Sequence, residues 1–379
     1  VEAVESQNWQ LNWREQTELA DAILDDITGV GPIEPLMHDE RVTDILVNGP
    51  YAVYAEIEGQ LRPTRYAFRG HEHLFTIAQR IAARVGRRVD ESSPMVDARL
   101  FDGSRVNVVI PPLALDGVCI SIRKFGRHDL TLTDMARQGN LNDRIAQLLD
   151  VAANCQLNML VSGGTGSGKT TLLNAISRCA DPRERIVTIE DIAELSLQQP
   201  HVVRLETRPA NIEGEGRVAQ DDLLRNALRM RPDRIIVGEV RGAEAFTMLQ
   251  AMNTGHDGSL STLHANSPRE ALGRLENMMM MGNANLPASI VRSQIVRAVD
   301  LVVQVERMRD GKRRVTNVSE VAGQEDEIIT MRDLFWFEQT GFTPEDGIRG
   351  EIRAAGGRPG FAERAEALGL GDKLAKAVL

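Results

Sequence analysis

Cysteine is scarce: Cys119, Cys155 and Cys179 are the only three in 379 residues, and they show neither a paired spacing nor an accompanying histidine pattern. That excludes a disulfide framework and a zinc site, and places the chain in a reducing compartment. Long hydrophobic runs are also missing. No stretch approaches the ~18 apolar residues that a spanning helix needs. The opening Val1-Glu2-Ala3-Val4-Glu5 lacks a basic region followed by an apolar one, so neither a transmembrane segment nor an export signal is expected. Positive charge is in deficit, with 44 Lys and Arg against 54 Asp and Glu and a net charge of −10. Nucleic acid and anionic membrane are therefore repelled at long range. The one basic helical face, Arg80, Arg84, Arg87 and Arg88, carries no interleaved aromatics. It reads as a solvated or inter-subunit face and not as a nucleic-acid platform, so no sequence-specific nucleic-acid partner is expected.

What is present suffices for two or three domains, given this length and a hydrophobic content of 42%. Residues 10–28 carry helical spacing, with Leu19, Ala22, Ile23 and Ile27 on one stripe among carboxylates, and end at the breaker Gly29-Val30-Gly31-Pro32. From Val42 to Lys124 the period falls to two. Thr43–Val47 and Tyr51–Ile57 flank Asn48-Gly49, Asp102-Gly103 separates a second pair of strands, and a helix over 72–85 interrupts them. The expected organisation is a helical segment over 1–40, an α+β domain over 41–130, an α/β domain over 131–340 and a glycine-rich peripheral tail over 341–379. Within the third segment, Leu157–Val161, Ile186–Ile189, Arg234–Val237 and Leu260–Leu263 read as buried strands alternating with helices. Such strands predict a parallel sheet covered on both faces, a RecA-like core. Residues 300–306 and 313–321 flank Asp310-Gly311 as a hairpin, 327–338 can add a third strand, and the Met278–Met281 run reads as a helix packed into its own core.

Residues 163–170, Gly-Gly-Thr-Gly-Ser-Gly-Lys-Thr, match Gly-x4-Gly-Lys-[Ser/Thr] in full, after a strand and before the helical Thr171-Leu172-Leu173-Asn174-Ala175-Ile176. Positive φ at Gly163, Gly164, Gly166 and Gly168 would turn successive N–H groups, with those of Thr165 and Ser167, onto phosphate oxygens at a helix N-terminus. Lys169 then neutralises the β and γ phosphates, and the Thr170 hydroxyl is placed for Mg²⁺. The motif thus implies ATP and Mg²⁺ as ligands.

Turnover needs acids as well. Arg234-Ile235-Ile236-Val237-Gly238-Glu239 is an apolar strand that delivers a carboxylate, so Glu239 reads as the Walker B acid, on the Mg²⁺ side through a bridging water. Ile186-Val187-Thr188-Ile189-Glu190-Asp191 repeats the design, with Glu194 following. Glu190 is the choice for polarising water, against a plain N-cap or ion-pair role. His256 and His264 flank one strand and read as sensors of the γ-phosphate, although a lone histidine is usually structural. Arg204, Arg208, Arg105 and Arg123 are candidates for stabilising phosphoryl charge, with surface solvation as the competing reading.

In family order, this loop, Thr188-Ile189-Glu190-Asp191, the stretch Leu228–Gly242 and the His256 to His264 box resemble the type II/type IV secretion ATPase superfamily. Gly31-Pro32-Ile33-Glu34-Pro35-Leu36, Thr43–Gly49 and Asp102–Asn107 are similar to its CpaF/TadA branch, which powers tight-adherence pili. The resemblance covers roughly residues 16–335 by motif placement. It implies a RecA-like P-loop core with an N-terminal α+β, PAS-like domain, and a homo-hexamer at the cytoplasmic face of the inner membrane, acting on pilus platform proteins. It also implies phosphate binding by residues 163–171, including Thr171, catalysis by Glu190, a Walker B role for Glu239, and a site completed by both histidines and the four arginines. The tetracysteine zinc module of some type II relatives is missing.

Overall fold

The computed structural model describes residues 12–57, 59–124, 130–210, 215–282, 286–343 and 347–378. The chain divides into two compact units, Val1–Arg127 and His128–Leu379.

The first unit contains α1 (Trp13–Thr28), α2 (Glu34–His38), β1 (Val42–Asn48), β2 (Val53–Ile57), β3 (Gln60–Pro63), α3 (His71–Arg84), β4 (Met95–Arg99), β5 (Arg105–Val109) and β6 (Cys119–Arg123). Its antiparallel sheet runs β3-β2-β1-β6-β5-β4. The two-residue period sends Ile45, Val47, Val106, Val108, Ile120 and Ile122 to one face, where Leu74, Ile77, Ala78 and Ile81 of α3 cover them. This is the α+β arrangement the alternation predicts.

Helix α1 departs from expectation. An Asn12–Glu15 capping box starts it, but none of its residues is buried, and Ile23, Leu24 and Ile27 of its apolar side are exposed. Polar contacts at its C-terminus hold it instead. Arg80 donates to the Asp26 and Gly29 carbonyls, Arg84 donates to that of Thr28, and Arg69 and His73 meet the Asp26 carboxylate. Arg80 and Arg84 are therefore not a free basic face: they cap the negative end of a helix. Arg87 and Arg88 remain exposed.

The second unit contains α4 (Leu132–Arg137), α5 (Asp143–Asn154), β7 (Met159–Gly163), α6 (Lys169–Ser177), β8 (Ile186–Glu190), β9 (Val202–Glu206), α7 (Gln220–Ala227), β10 (Arg234–Val237), α8 (Glu244–Asn253), β11 (Leu260–Leu263), α9 (Pro268–Gly282) and α10 (Ala288–Ala298). Four further strands and two helices follow the last of these as β12 (Leu301–Arg307), β13 (Arg313–Glu325), β14 (Ile328–Thr343), β15 (Gly347–Ala354), α11 (Ala362–Ala367) and α12 (Gly371–Val378). The sheet order is β15-β14-β13-β12-β7-β11-β10-β8-β9. Pairing is parallel from β12 to β9 and antiparallel from β12 to β15. Every residue of β7, β8, β10 and β11 is buried, as a sheet covered on both faces requires. Met159 and Val161 of β7 join the core of α5, α6 and α12, and Leu160 joins that of α8, α9 and α10. Met278 and Met279 are buried in the second core, while Met281 is exposed.

The peripheral tail expected from 341 onward is not peripheral. Gly341 lies at a register shift inside the β14–β15 pair, where a glycine is tolerated and does not end the strand. Ala365, Leu374 and Ala377 are buried in the same core as Leu148 and Leu149 of α5, and Arg144 donates to the Ala377 carbonyl at 2.9 Å. Leu374→Ala should therefore cost about 2–5 kcal/mol. Calorimetry should show a melting transition lowered by several degrees, and an unchanged transition would contradict this packing.

Candidate functional site

Strand β7 ends at Gly163 beside β12, with Val305 as its partner. A Cβ on Gly163 would lie 2.2 Å from the Val305 carbonyl oxygen, so glycine is required there by close approach and not by a positive φ. Positive φ occurs at Gly166 (+68°) and Gly168 (+97°), and not at Gly163 or Gly164, which corrects the expectation for the first two glycines. Gly168 is the left-handed N-cap of α6, so the amides that follow it open towards the loop at the positive end of that helix. Thr165 is exposed, Thr170 and Thr171 are half-buried, and the Ser167 hydroxyl is buried without a partner.

Lys169 is buried, and its ammonium donates to the carbonyls of Gly163 (3.0 Å) and Gly164 (2.9 Å). Burial pushes its pKa down, while Glu239 acts to raise it. His264 follows β11 and stands between Lys169 and Glu239. Its Nδ1 is 3.5 Å from Lys169 Nζ and its Nε2 is 2.6 Å from Glu239 Oε1. Burial first and Lys169 second hold its pKa below the ordinary histidine value. The neutral imidazole then accepts from the ammonium through Nδ1, while Nε2 lies against a Glu239 oxygen that has no hydrogen-bond partner. The other Glu239 oxygen accepts from Arg241, at 2.7 Å from Nε. Lysine, histidine, glutamate and arginine thus form one line along the edge of the sheet.

These residues fit a magnesium nucleotide: a glycine loop and helix N-terminus for phosphates, a buried ammonium beside them, and Thr170 and Glu239 as oxygen donors. No cluster of three or more His, Cys, Asp or Glu suited to a metal occurs among the described residues. Mg²⁺ typically takes one or two protein oxygens and fills its shell with phosphate and water, so this is the donor set it needs.

Glu190 ends β8, the third strand from β7, about 14 Å across the sheet. It is 3% exposed; Oε1 accepts from the backbone N–H groups of Glu194 and Leu195 at 2.9 Å each, and Oε2 is buried without a partner. Burial is the main cause that lifts its pKa from 4.5 to about 7, against those two hydrogen bonds. A carboxyl poised there can take a proton at neutral pH. The same bonds pin the segment carrying Glu194, whose charge reaches Lys169.

Other expected residues lie elsewhere. β11 runs parallel to β7 with Leu260 beside Met159, so His264 is carried to the loop and His256 to the opposite edge. There its Nδ1 is 3.3 Å from the Ala251 carbonyl oxygen, which corrects its placement at the same phosphate site. Arg204 and Arg208 belong to β9 and the segment after it, on the outer edge about 19 Å from β7. Arg204 is exposed and favours ionised Glu190; Arg208 donates to the Gly216 carbonyl at 2.7 Å. Neither touches the phosphate loop of its own chain. In the first unit, Arg99, Arg105 and Arg123 are cross-strand neighbours on the face away from α3. Arg105 pairs with Asp97 at 2.5 Å and Arg123 with Asp44 at 3.1 Å.

Two contributors escaped the sequence reading. Arg241 lies inside the Leu228–Gly242 stretch, and its signal is its position two residues after the acid Glu239 at a strand tip. Arg313 donates to the Gly166 carbonyl at 2.9 Å from β13, and Asn140 Nδ2 holds the Arg313 carbonyl at 2.7 Å. The hairpin at Asp310-Gly311 pointed to it, once β12 was known to lie beside β7.

Fold and site together define a P-loop nucleotide-binding protein. The Type II/IV secretion system protein family matches residues 26–332, and the chain belongs to that family. It is 41% identical over 300 residues to a Mycobacterium tuberculosis protein provisionally named for conjugal transfer, covering 78% of this chain and 85% of that one. It is 32% identical over 332 residues to the type IV secretion system protein VirB11 of Bartonella quintana, covering 77% and 92%. Among solved structures it is similar in fold to the Legionella pneumophila ATPase DotB, with a TM-score of 0.54, 23% identity and coverage of 74% and 77%.

Glu190 makes a signed prediction for stability. Its folded pKa lies above the unfolded value, so its contribution is fully present below about pH 4.5 and is lost as pH rises through about 7. Glu190→Gln should therefore melt higher than wild type at pH 8, by an amount on the order of a few kcal/mol. The difference should shrink towards pH 5, and a pH-independent difference would contradict a titrating buried carboxyl.

Proposed function

We propose that this chain is a Mg²⁺-dependent ATPase that works as a homo-hexameric ring and drives assembly or retraction of tight-adherence pili through inner-membrane platform proteins. Its place is peripheral, at the cytoplasmic face of that membrane. One observation carries the hydrolytic reading: the buried Lys169 ammonium at the glycine loop has His264 beside it, and His264 Nε2 lies 2.6 Å from Glu239. The loop amides and Lys169 bind the β and γ phosphates, and Thr170 and Glu239 hold the metal. Mg²⁺ supplies charge neutralisation on the transferring phosphoryl group. Glu190 takes the proton of the attacking water, and His264 responds to the presence of the terminal phosphate next to Lys169. Arg204 and Arg208, on the outer edge strand and just after it, serve an adjacent protomer, and Arg105 and Arg123 are further candidate phosphate donors.

The pilus reading rests on the Gly31–Leu36, Thr43–Gly49 and Asp102–Asn107 stretches. A second reading, substrate transfer by a type IV secretion or conjugation system, is favoured by the names of the relatives. Deleting the gene separates them, since loss of surface fibres supports the first and loss of transfer with fibres intact supports the second. Against a nucleotide-gated scaffold, Glu239→Gln and Glu190→Gln should each lower phosphate release by about 100-fold or more while nucleotide still binds. Unchanged release in both would leave a scaffold.

A further inference from the structure

Arg241 lies between two carboxylates. Its Nε and Nη2 engage Glu239 Oε2, and its Nη1 is 3.9 Å from Asp191 Oδ2, at the tip of the neighbouring strand β8. Its backbone is fixed, because the Arg241 N–H donates to Glu244 Oε1 at 2.6 Å and the Gly242 N–H donates to the same oxygen at 2.8 Å. The side chain beyond that backbone is 61% exposed. Asp191 is steadied in turn by the Thr207 hydroxyl at 3.2 Å. One guanidinium therefore has two anionic partners within reach, Glu239 hydrogen-bonded at 2.7 Å and Asp191 at 3.9 Å. Arg241 occupies Glu239 Oε2, whereas Oε1, 2.6 Å from His264 Nε2, is buried without a hydrogen-bond partner, so Oε2 is the oxygen that Arg241 withholds. A divalent cation and a guanidinium compete for the same lone pairs.

We infer that Arg241 is a positioning residue that restrains Glu239 and releases it to the metal by moving onto Asp191. This rests on the reading of Glu239 as a metal-side acid. Two substitutions then act with opposite sign. Arg241→Gln removes the competitor, so a divalent cation should bind the protein–ADP complex more tightly. Asp191→Asn removes the alternative partner, so Arg241 stays on Glu239 and the cation should bind more weakly.

The test uses the full chain with ADP and Mn²⁺, following the loss of the free Mn²⁺ electron paramagnetic resonance signal. The expected shifts are about three- to fivefold in Mn²⁺ affinity, tighter for Arg241→Gln and weaker for Asp191→Asn, as suits an exposed charge pair. Arg241→Lys, which keeps the charge but not the two-pronged contact, should fall between wild type and Arg241→Gln. Shifts of the same sign in Arg241→Gln and Asp191→Asn, or no shift in either, overturn the inference. Failure of the ATPase reading is separate: it would appear as absent phosphate release by wild type, whatever the Mn²⁺ affinities.

Discussion

The parallel register of three short strands is the constraint on which the site depends. Met159 pairs with Leu260 and Ile236 with Leu260, so β7, β11 and β10 finish at the same edge. Each then delivers one residue type: β7 the loop that leads to Lys169, β11 His264, and β10 Glu239. Because these strands are four or five residues long and buried on both faces, a slip by one residue would turn core side chains inside out. The burial that stabilises the sheet therefore also sets the distances of the chemistry.

Burial has a second consequence at the same edge. It lowers the pKa of Lys169 and of His264 and raises that of Glu190, bringing a cation, an imidazole and a carboxyl closer to neutrality than water would allow. Such groups respond to the arrival of phosphate charge because their own charge is held at a cost. Thr262 reinforces the arrangement: its hydroxyl donates to the Gly238 carbonyl at 2.6 Å and its carbonyl accepts from Val240, so the segment around Glu239 is tied to β11 on both sides.

Much of this was legible in the residues. Apolar runs of strand length, a full phosphate-loop match and acids at strand tips suffice to place Lys169, Glu190 and Glu239 at strand and helix ends as candidates, because local pattern and buried sheet agree. His256 was misplaced because sequence spacing does not say that a four-residue strand separates two ends of a sheet. Arg204 and Arg208 read as donors of the kind a neighbouring subunit supplies, and in their own chain they lie four strands from the phosphate loop. Arg80 and Arg84 looked solvated because their partners are backbone carbonyls at Asp26, Thr28 and Gly29, remote in sequence and carrying no side-chain signal. The segment after 341 looked peripheral because its glycines obscured Leu374 and Ala377, whose burial depends on α5.

A structure of the full chain with Mg²⁺ and a non-hydrolysable ATP analogue tests the central claim most directly. The account predicts the β and γ phosphates on the amides of residues 164–170 and on Lys169 Nζ, with His264 and Glu239 facing the terminal phosphate and its metal. A triphosphate bound away from that edge, or one met by His256 of the same chain in place of His264, would contradict it.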